Sequence, residues 1–153
     1  MEPLNEALLD MWLNLSATIC NDRIVSVMRF NEAFVCNLLY KQYTQNPTSY
    51  LTATNLCEKT KMLKSQMNKT LNALEEKGVI TRLKSDKDKR MIYICLREDN
   101  LHLYRSEHQK VLDLIDALIA RTGESQVIQA IQSINILTEN FEILMQERTN
   151  YGN

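Results

Sequence analysis

A mainly α-helical fold with a small β-wing is what this 153-residue sequence predicts. Three observations lead there. Between Leu51 and Leu96 a short helix signal, a turn and a longer helix precede a Gly break, a short strand, a charged hairpin and a second strand. Long stretches with apolar residues at helical spacing flank that segment, and the whole chain holds only three Gly and two Pro to interrupt them. Basic residues concentrate on the longer helix and the hairpin. Together these describe a winged helix-turn-helix flanked by long N- and C-terminal helices, an arrangement that sets one helix in a DNA major groove and a β-wing beside it.

From Asn5 to Cys20 the residues Leu8, Trp12, Leu15 and Ile19 fall at spacings of four, three and four, which is one face of an amphipathic helix. Asn21 to Arg29 is mixed and connects or extends it. Asn31 followed by Glu32 reads as the next helix start, with Phe34, Val35, Leu38 and Leu39 turned inward. That helix should stop by Asn46, because Pro47 disfavours helical geometry before it. After the loop, Thr52 can cap a short helix running to Glu58 or Lys59, with Leu56 facing inward.

The longer helix is expected from about Leu63 to Lys77, ended by Gly78. Leu63, Met67, Leu71 and Leu74 form its core stripe. Ser65, Asn68, Lys69 and Asn72 share the opposite face, with Lys64 beside them near the N-terminus. Small amides and cations on one face suit base edges and phosphates, although alone such a face is equally an ordinary solvated one. Val79 to Leu83 and Met91 to Leu96 alternate as strands. The linking loop KSDKDKR, with Lys87, Lys89 and Arg90, suits phosphates or a minor groove better than a core. A long helix to about Thr122 follows, with Tyr104, His108, Val111, Ile115 and Leu118 as its stripe. Gly123 breaks it, and a last helix from about Glu124 to Arg148 carries Val127, Ile131, Ile134, Phe141 and Met145. The terminal helices hold more apolar surface than the central module can cover, which points to a homodimer.

Charge sharpens the picture. The chain is −1 overall, but Lys59 to Arg90 holds ten basic against four acidic residues, a local +6 on an otherwise acidic body. That is the footprint of a phosphate-binding face, so double-stranded DNA is the expected partner. No apolar run approaches a membrane span of about 18 residues. The N-terminus carries acids where a signal peptide carries bases, so the cytoplasm is the expected compartment. Cys20, Cys36, Cys57 and Cys95 are widely spaced, against a zinc site or a disulfide framework, and each reads as a buried thiol. His102 and His108 lie on different helix faces, so no metal and no cofactor is expected. No nucleophile–base pair, Gly-rich phosphate loop or paired carboxylate site is legible, which argues against an enzyme.

At this point the chain resembles the MarR-type transcription regulators. Lys64-Ser65 through Leu74-Glu75-Glu76-Lys77-Gly78-Val79-Ile80 is similar to that family's recognition helix and its exit into the wing. Asp88-Lys89-Arg90 is similar to its wing motif. The resemblance implies one MarR-like domain over 1–153, with a DNA-binding lobe at 31–97 and dimerisation helices at 1–30 and 98–153. It implies a homodimeric repressor on a pseudo-palindromic operator. Ser65, Gln66, Asn68 and Lys69 would face the groove, Arg90 would enter the minor groove, and Asp88 would hold the wing in shape. It also implies a small effector, aromatic or apolar, for which Trp12, Leu15, Cys36, Tyr40 and Met67 are candidate pocket residues; plain core is the simpler role for them. Three departures bear on loop geometry. Leu63 stands where the family often has a capping Ser or Thr, Ser85-Asp86 replaces Asp-Pro, and Arg97-Glu98-Asp99-Asn100 lacks the usual Thr-Glu-Lys-Gly. Two alternatives remain open: a winged module that binds protein instead of DNA, and a regulator that senses oxidation through a thiol such as Cys20, with Arg23 the nearby cation.

Overall fold

The computed structural model describes residues 3–19 and 28–151. In chain order the elements are α1 (Leu4–Ile19), α2 (Phe30–Gln45), β1 (Leu51–Thr52), α3 (Ala53–Thr60), α4 (Lys64–Glu76), β2 (Ile80–Lys84), β3 (Ile92–Leu96), a short 3₁₀ turn (Glu98–Asn100), α5 (Leu101–Thr122) and α6 (Glu124–Tyr151). The chain forms two compact units, Met1–Val111 and Leu112–Asn153. The division falls inside α5. Cys20 and Arg23, and with them the proposed oxidation sensor, lie outside the described residues. No helix among the described residues is long and apolar enough to cross a membrane.

The first unit is built around one core. On α2 the buried residues Glu32, Val35, Cys36 and Leu39 recur at spacings of three, one and three, the signature of one helix face. They meet Leu56 of α3, Met67, Leu71 and Leu74 of α4, Ile80 of β2, Ile94 of β3 and Tyr104 of α5. The sheet has the order β1-β3-β2 and is antiparallel throughout, with Arg82 opposite Ile94 and Leu51 also opposite Ile94 from the other side. The second unit contains the last part of α5 and α6, joined at Gly123, whose φ of +95° is a conformation that side chains with a Cβ rarely adopt.

Several starts and stops differ from the sequence reading by a residue or more, each for a visible reason. Helix α2 begins at Phe30, with Arg29 and not Asn31 before it. The Glu32 carboxylate reaches back to accept the Arg29 N–H (3.2 Å), and that reach spans three residues. The two-residue strand β1 was read as loop and cap, being too short to show alternation. Thr52 does cap α3: its Oγ1 accepts the Asn55 N–H (3.2 Å), and Asn55 Oδ1 accepts the Thr52 N–H (3.0 Å). The wing strands start one residue later than expected. The cysteines are not uniformly buried, since Cys36 is closed off while Cys57 and Cys95 are half-buried.

Candidate nucleic-acid interface

Helix α4 is held from its inner face. Met67, Leu71 and Leu74 have almost no accessible surface, and Thr70 beside them is buried with its hydroxyl donating to the Gln66 carbonyl (2.9 Å). This leaves Lys64, Ser65, Gln66, Asn68, Lys69 and Asn72 exposed on the outside. The helix start uses an unusual cap. Leu63 has no polar side chain, and Gln66 supplies the acceptor instead, its Oε1 taking the Leu63 N–H (3.2 Å). One of the residues read as groove-facing therefore also finishes the helix.

At the other end the chain turns through Gly78, with φ at +70°. The Gly78 N–H donates to the Glu75 carbonyl (2.9 Å) and the Val79 N–H to the Leu74 carbonyl (3.0 Å). This pair of bonds is a Schellman motif, and the buried side chains of Leu74 and Val79 supply its apolar contact. Asn100 Nδ2 donates to the Gly78 carbonyl (2.8 Å) and ties the same turn to the start of α5.

The wing turn is shaped by its own side chains. Ser85 is buried, and its hydroxyl accepts the N–H groups of Lys87 and Asp88, both at 3.3 Å. Asp88 Oδ1 accepts the Arg90 N–H (3.0 Å), while the Met91 N–H donates to the Asp88 carbonyl (2.9 Å). Serine at 85 thus does locally what a rigid Asp-Pro start would otherwise do. Lys87, Lys89 and Arg90 project from this turn fully exposed.

Two features beside α4 could not be read from the sequence. Arg82 on β2 forks onto α4, with Nη2 donating to Asn72 Oδ1 (2.8 Å) and Nη1 paired with the Glu75 carboxylate. Asn72, expected to present its amide outward, has its oxygen engaged by this fork. On the opposite flank a groove of about 1010 Å³ runs between α4 and the first turn of α2. Ser65, Gln66, Asn68, Lys69 and Asn72 line it from α4, Arg29 and Asn31 from α2, and the Glu32–Lys77 ion pair (2.5 Å) spans it.

The residues expected around an effector do not share one site. Cys36 and Met67 have no accessible surface and are part of the core. Burial, and secondarily the Glu32 carboxylate, pushes the Cys36 thiol up to about 12, so it stays protonated and inert. Trp12 and Leu15 are exposed on α1. Tyr40 packs against Tyr104, with ring centroids 5.2 Å apart. A separate cavity of about 240 Å³ lies between α2 and α5, with Phe30, Phe34, Asn37, Tyr104 and His108 on its walls. There His108 stacks on Tyr104, and its Nδ1 is 3.4 Å from the tyrosine hydroxyl. Among the described residues no cluster of three or more His, Cys, Asp or Glu could hold a metal ion.

An exposed helix with a polar outer face and a basic wing next to it define the winged-helix class of DNA-binding proteins. The comparisons add a partial family match and a shared fold. The model of the MarR family matches residues 44–91, which run from the end of α2 through α3, α4 and the wing turn. Solved structures share the fold. A MarR-family transcriptional regulator from Rhodococcus sp. RHA1 is 14% identical, with 88% of this chain and 94% of that chain covered and a TM-score of 0.71. The MepR–DNA complex from S. aureus is 15% identical, with 92% and 99% covered and a TM-score of 0.70. NadR in complex with 4-hydroxyphenylacetate is 19% identical, with 90% and 93% covered and a TM-score of 0.61. No curated protein matches the sequence. Residues 44–91 thus match the MarR family model, and the chain as a whole shares the fold of the MarR-type structures.

Proposed function

We propose that this chain is a homodimeric repressor that binds a pseudo-palindromic operator and is released from it by a small aromatic or apolar effector. The observation that carries the reading is the pairing of an exposed polar helix face with a basic wing in the +6 segment. Lys64, Ser65, Asn68 and Lys69 stand outside the core on α4, and Lys87, Lys89 and Arg90 stand on a turn that folds by its own hydrogen bonds. In this reading α4 enters the major groove, where Asn68 and Lys69 meet base edges, and Lys64 and Ser65 meet phosphate. Arg90 enters the adjacent minor groove, favouring narrow A·T-rich sequence.

Support for a second copy comes from the faces left open. Helix α1 buries none of its side chains, and Leu8, Trp12 and Leu15 are exposed on it. Helix α6 separately exposes Ile131, Ile134, Phe141 and Met145. Apolar faces of this extent are stable when covered, and an identical chain covers them with closed symmetry. The effector fits best in the cavity between α2 and α5, where aromatic walls and the Asn37, Tyr104 and His108 polar groups converge. It acts by preferring one of two dimer arrangements, and only its differential affinity can shift them.

The test is fluorescence anisotropy with duplex DNA from just upstream of the coding sequence, titrated over salt against a scrambled competitor. Competitor-resistant binding that weakens steeply with salt is expected. Equal affinity for the scrambled duplex, and no enriched sequence from a randomised duplex pool, would overturn the reading. Sedimentation at micromolar concentration should give twice the chain mass.

A further inference from the structure

Glu32 is the least expected residue in the core. Its side chain is only 5% exposed, it lies in the first turn of α2, and its carboxylate accepts both the Arg29 N–H (3.2 Å) and Lys77 Nζ (2.5 Å). Lys77 is the C-cap of α4, and 45 residues separate the two partners. The pair joins the positive end of one helix dipole to the negative end of another, so each charge sits where its helix favours it. With Glu32 buried and Lys77 36% exposed, the pair is nonetheless a poor device for stability alone, because desolvation of the carboxylate offsets much of the attraction. What it does supply is a fixed geometry. Lys77 follows directly on α4, four residues beyond Ala73 and five beyond Asn72, on the same groove that Ser65 and Lys69 line.

We propose that Glu32 is a positioning residue for DNA recognition: its carboxylate holds Lys77 and so fixes the C-terminal end of α4 against the first turn of α2. Arg82 grips the other flank of α4 through Asn72 and Glu75, so the helix is held from both sides. Glu32 lines the groove with only 4% of its surface exposed, too little for a DNA contact of its own. Its influence passes through the height and tilt at which α4 presents Asn68 and Lys69.

This inference rests on the DNA-binding reading, and one experiment separates the two. Glu32→Gln keeps the shape of the side chain and removes its charge. Operator affinity is expected to fall about tenfold, the value of one good base contact. Affinity for scrambled DNA should hold or rise, because a negative charge is lost beside the groove. A purely structural role would lower both affinities by the same factor, through the folded fraction, and that outcome overturns the proposal. So does an unchanged operator-to-scrambled ratio in a variant that melts like wild type. If Glu32→Gln fails to fold, the double variant Glu32→Gln, Lys77→Met removes both charges of the pair, and the same ratio is read. Failure of the wild type to discriminate would overturn the DNA reading and this inference with it, whereas a discriminating wild type beside a variant with the same operator-to-scrambled ratio overturns only the inference.

Discussion

Replacing Gly78 by Ala tests how the recognition helix is ended. The new Cβ would sit 2.8 Å from Asn100 Nδ2, the same atom that donates to the Gly78 carbonyl. Asn100 can swing away only by breaking that bond. Holding an L-residue at φ +70° costs about 1–2 kcal/mol. Losing a partly buried amide–carbonyl bond costs about 0.5–1.5 kcal/mol. Together they give a destabilisation of about 1.5–3.5 kcal/mol, or a fall in melting temperature of about 3–14 °C for a chain of this size. Urea denaturation at one fixed protein concentration is the suitable assay, because association adds to apparent stability. Asn100→Ala alone should cost about 1 kcal/mol by losing the bond. In that background Gly78→Ala should cost only the backbone strain, about 1–2 kcal/mol, so the double variant is less than additive. A Gly78→Ala loss below about 0.5 kcal/mol, or strict additivity with Asn100→Ala, refutes the reasoning.

Arg90→Ala and Lys69→Ala should each weaken operator binding about tenfold or more without dissolving the dimer. Anisotropy across salt concentrations checks this, and native affinity in both would place the DNA face elsewhere. Lys61 ends α3 at φ +60°, so Lys61→Gly should stabilise the lobe by about 0.5–1 kcal/mol in urea titration; a loss of stability would mean that its side-chain contacts outweigh the strain. Cys36 is raised from 9.0 to about 12, so its neutral form contributes stability that is complete below pH 9 and lost as pH climbs toward 12. Wild type should therefore lose more stability between pH 8 and 11 than Cys36→Ala does, and parallel curves would count against it. Thiol-reactive reagents at pH 8 should label Cys57 and Cys95 well before Cys36, as resolved by mass spectrometry of the digested protein.

Local signals carried most of the lobe. The stripe Leu63, Met67, Leu71, Leu74 with Gly78 four residues later placed α4 to within a residue, because periodicity and a C-terminal glycine are both short-range, but Leu63 is the N-cap and stands 69% exposed instead of facing the core. Thr52 as a cap was legible for the same reason. Contacts between distant segments left no such trace. Nothing in the sequence around Arg82 announces Asn72 and Glu75 as its partners, since strand and helix meet only after the chain has turned at Gly78. Glu32 looked like an ordinary helix-start acid, and its partner is 45 residues away. The pocket candidates show a similar gap. Spacing shows that Cys36 and Met67 face inward, but not whether an inward face meets a void or another side chain, and here both meet side chains.

The Arg82 fork has a consequence for the thermodynamics of association. As an exposed ion pair it adds little to folding, about 0–1 kcal/mol. Yet it fastens β2 to α4 before any DNA arrives, and the Ser85 and Asp88 hydrogen bonds shape the turn beyond it. Each rotamer-rich side chain that must be immobilised on binding costs about 0.5–1.5 kcal/mol. Helix and wing have met that cost during folding, so under the proposed function they dock as one preformed body. Binding calorimetry should then show a small entropic penalty for wing ordering in the wild type, and a larger one once Arg82 is shortened.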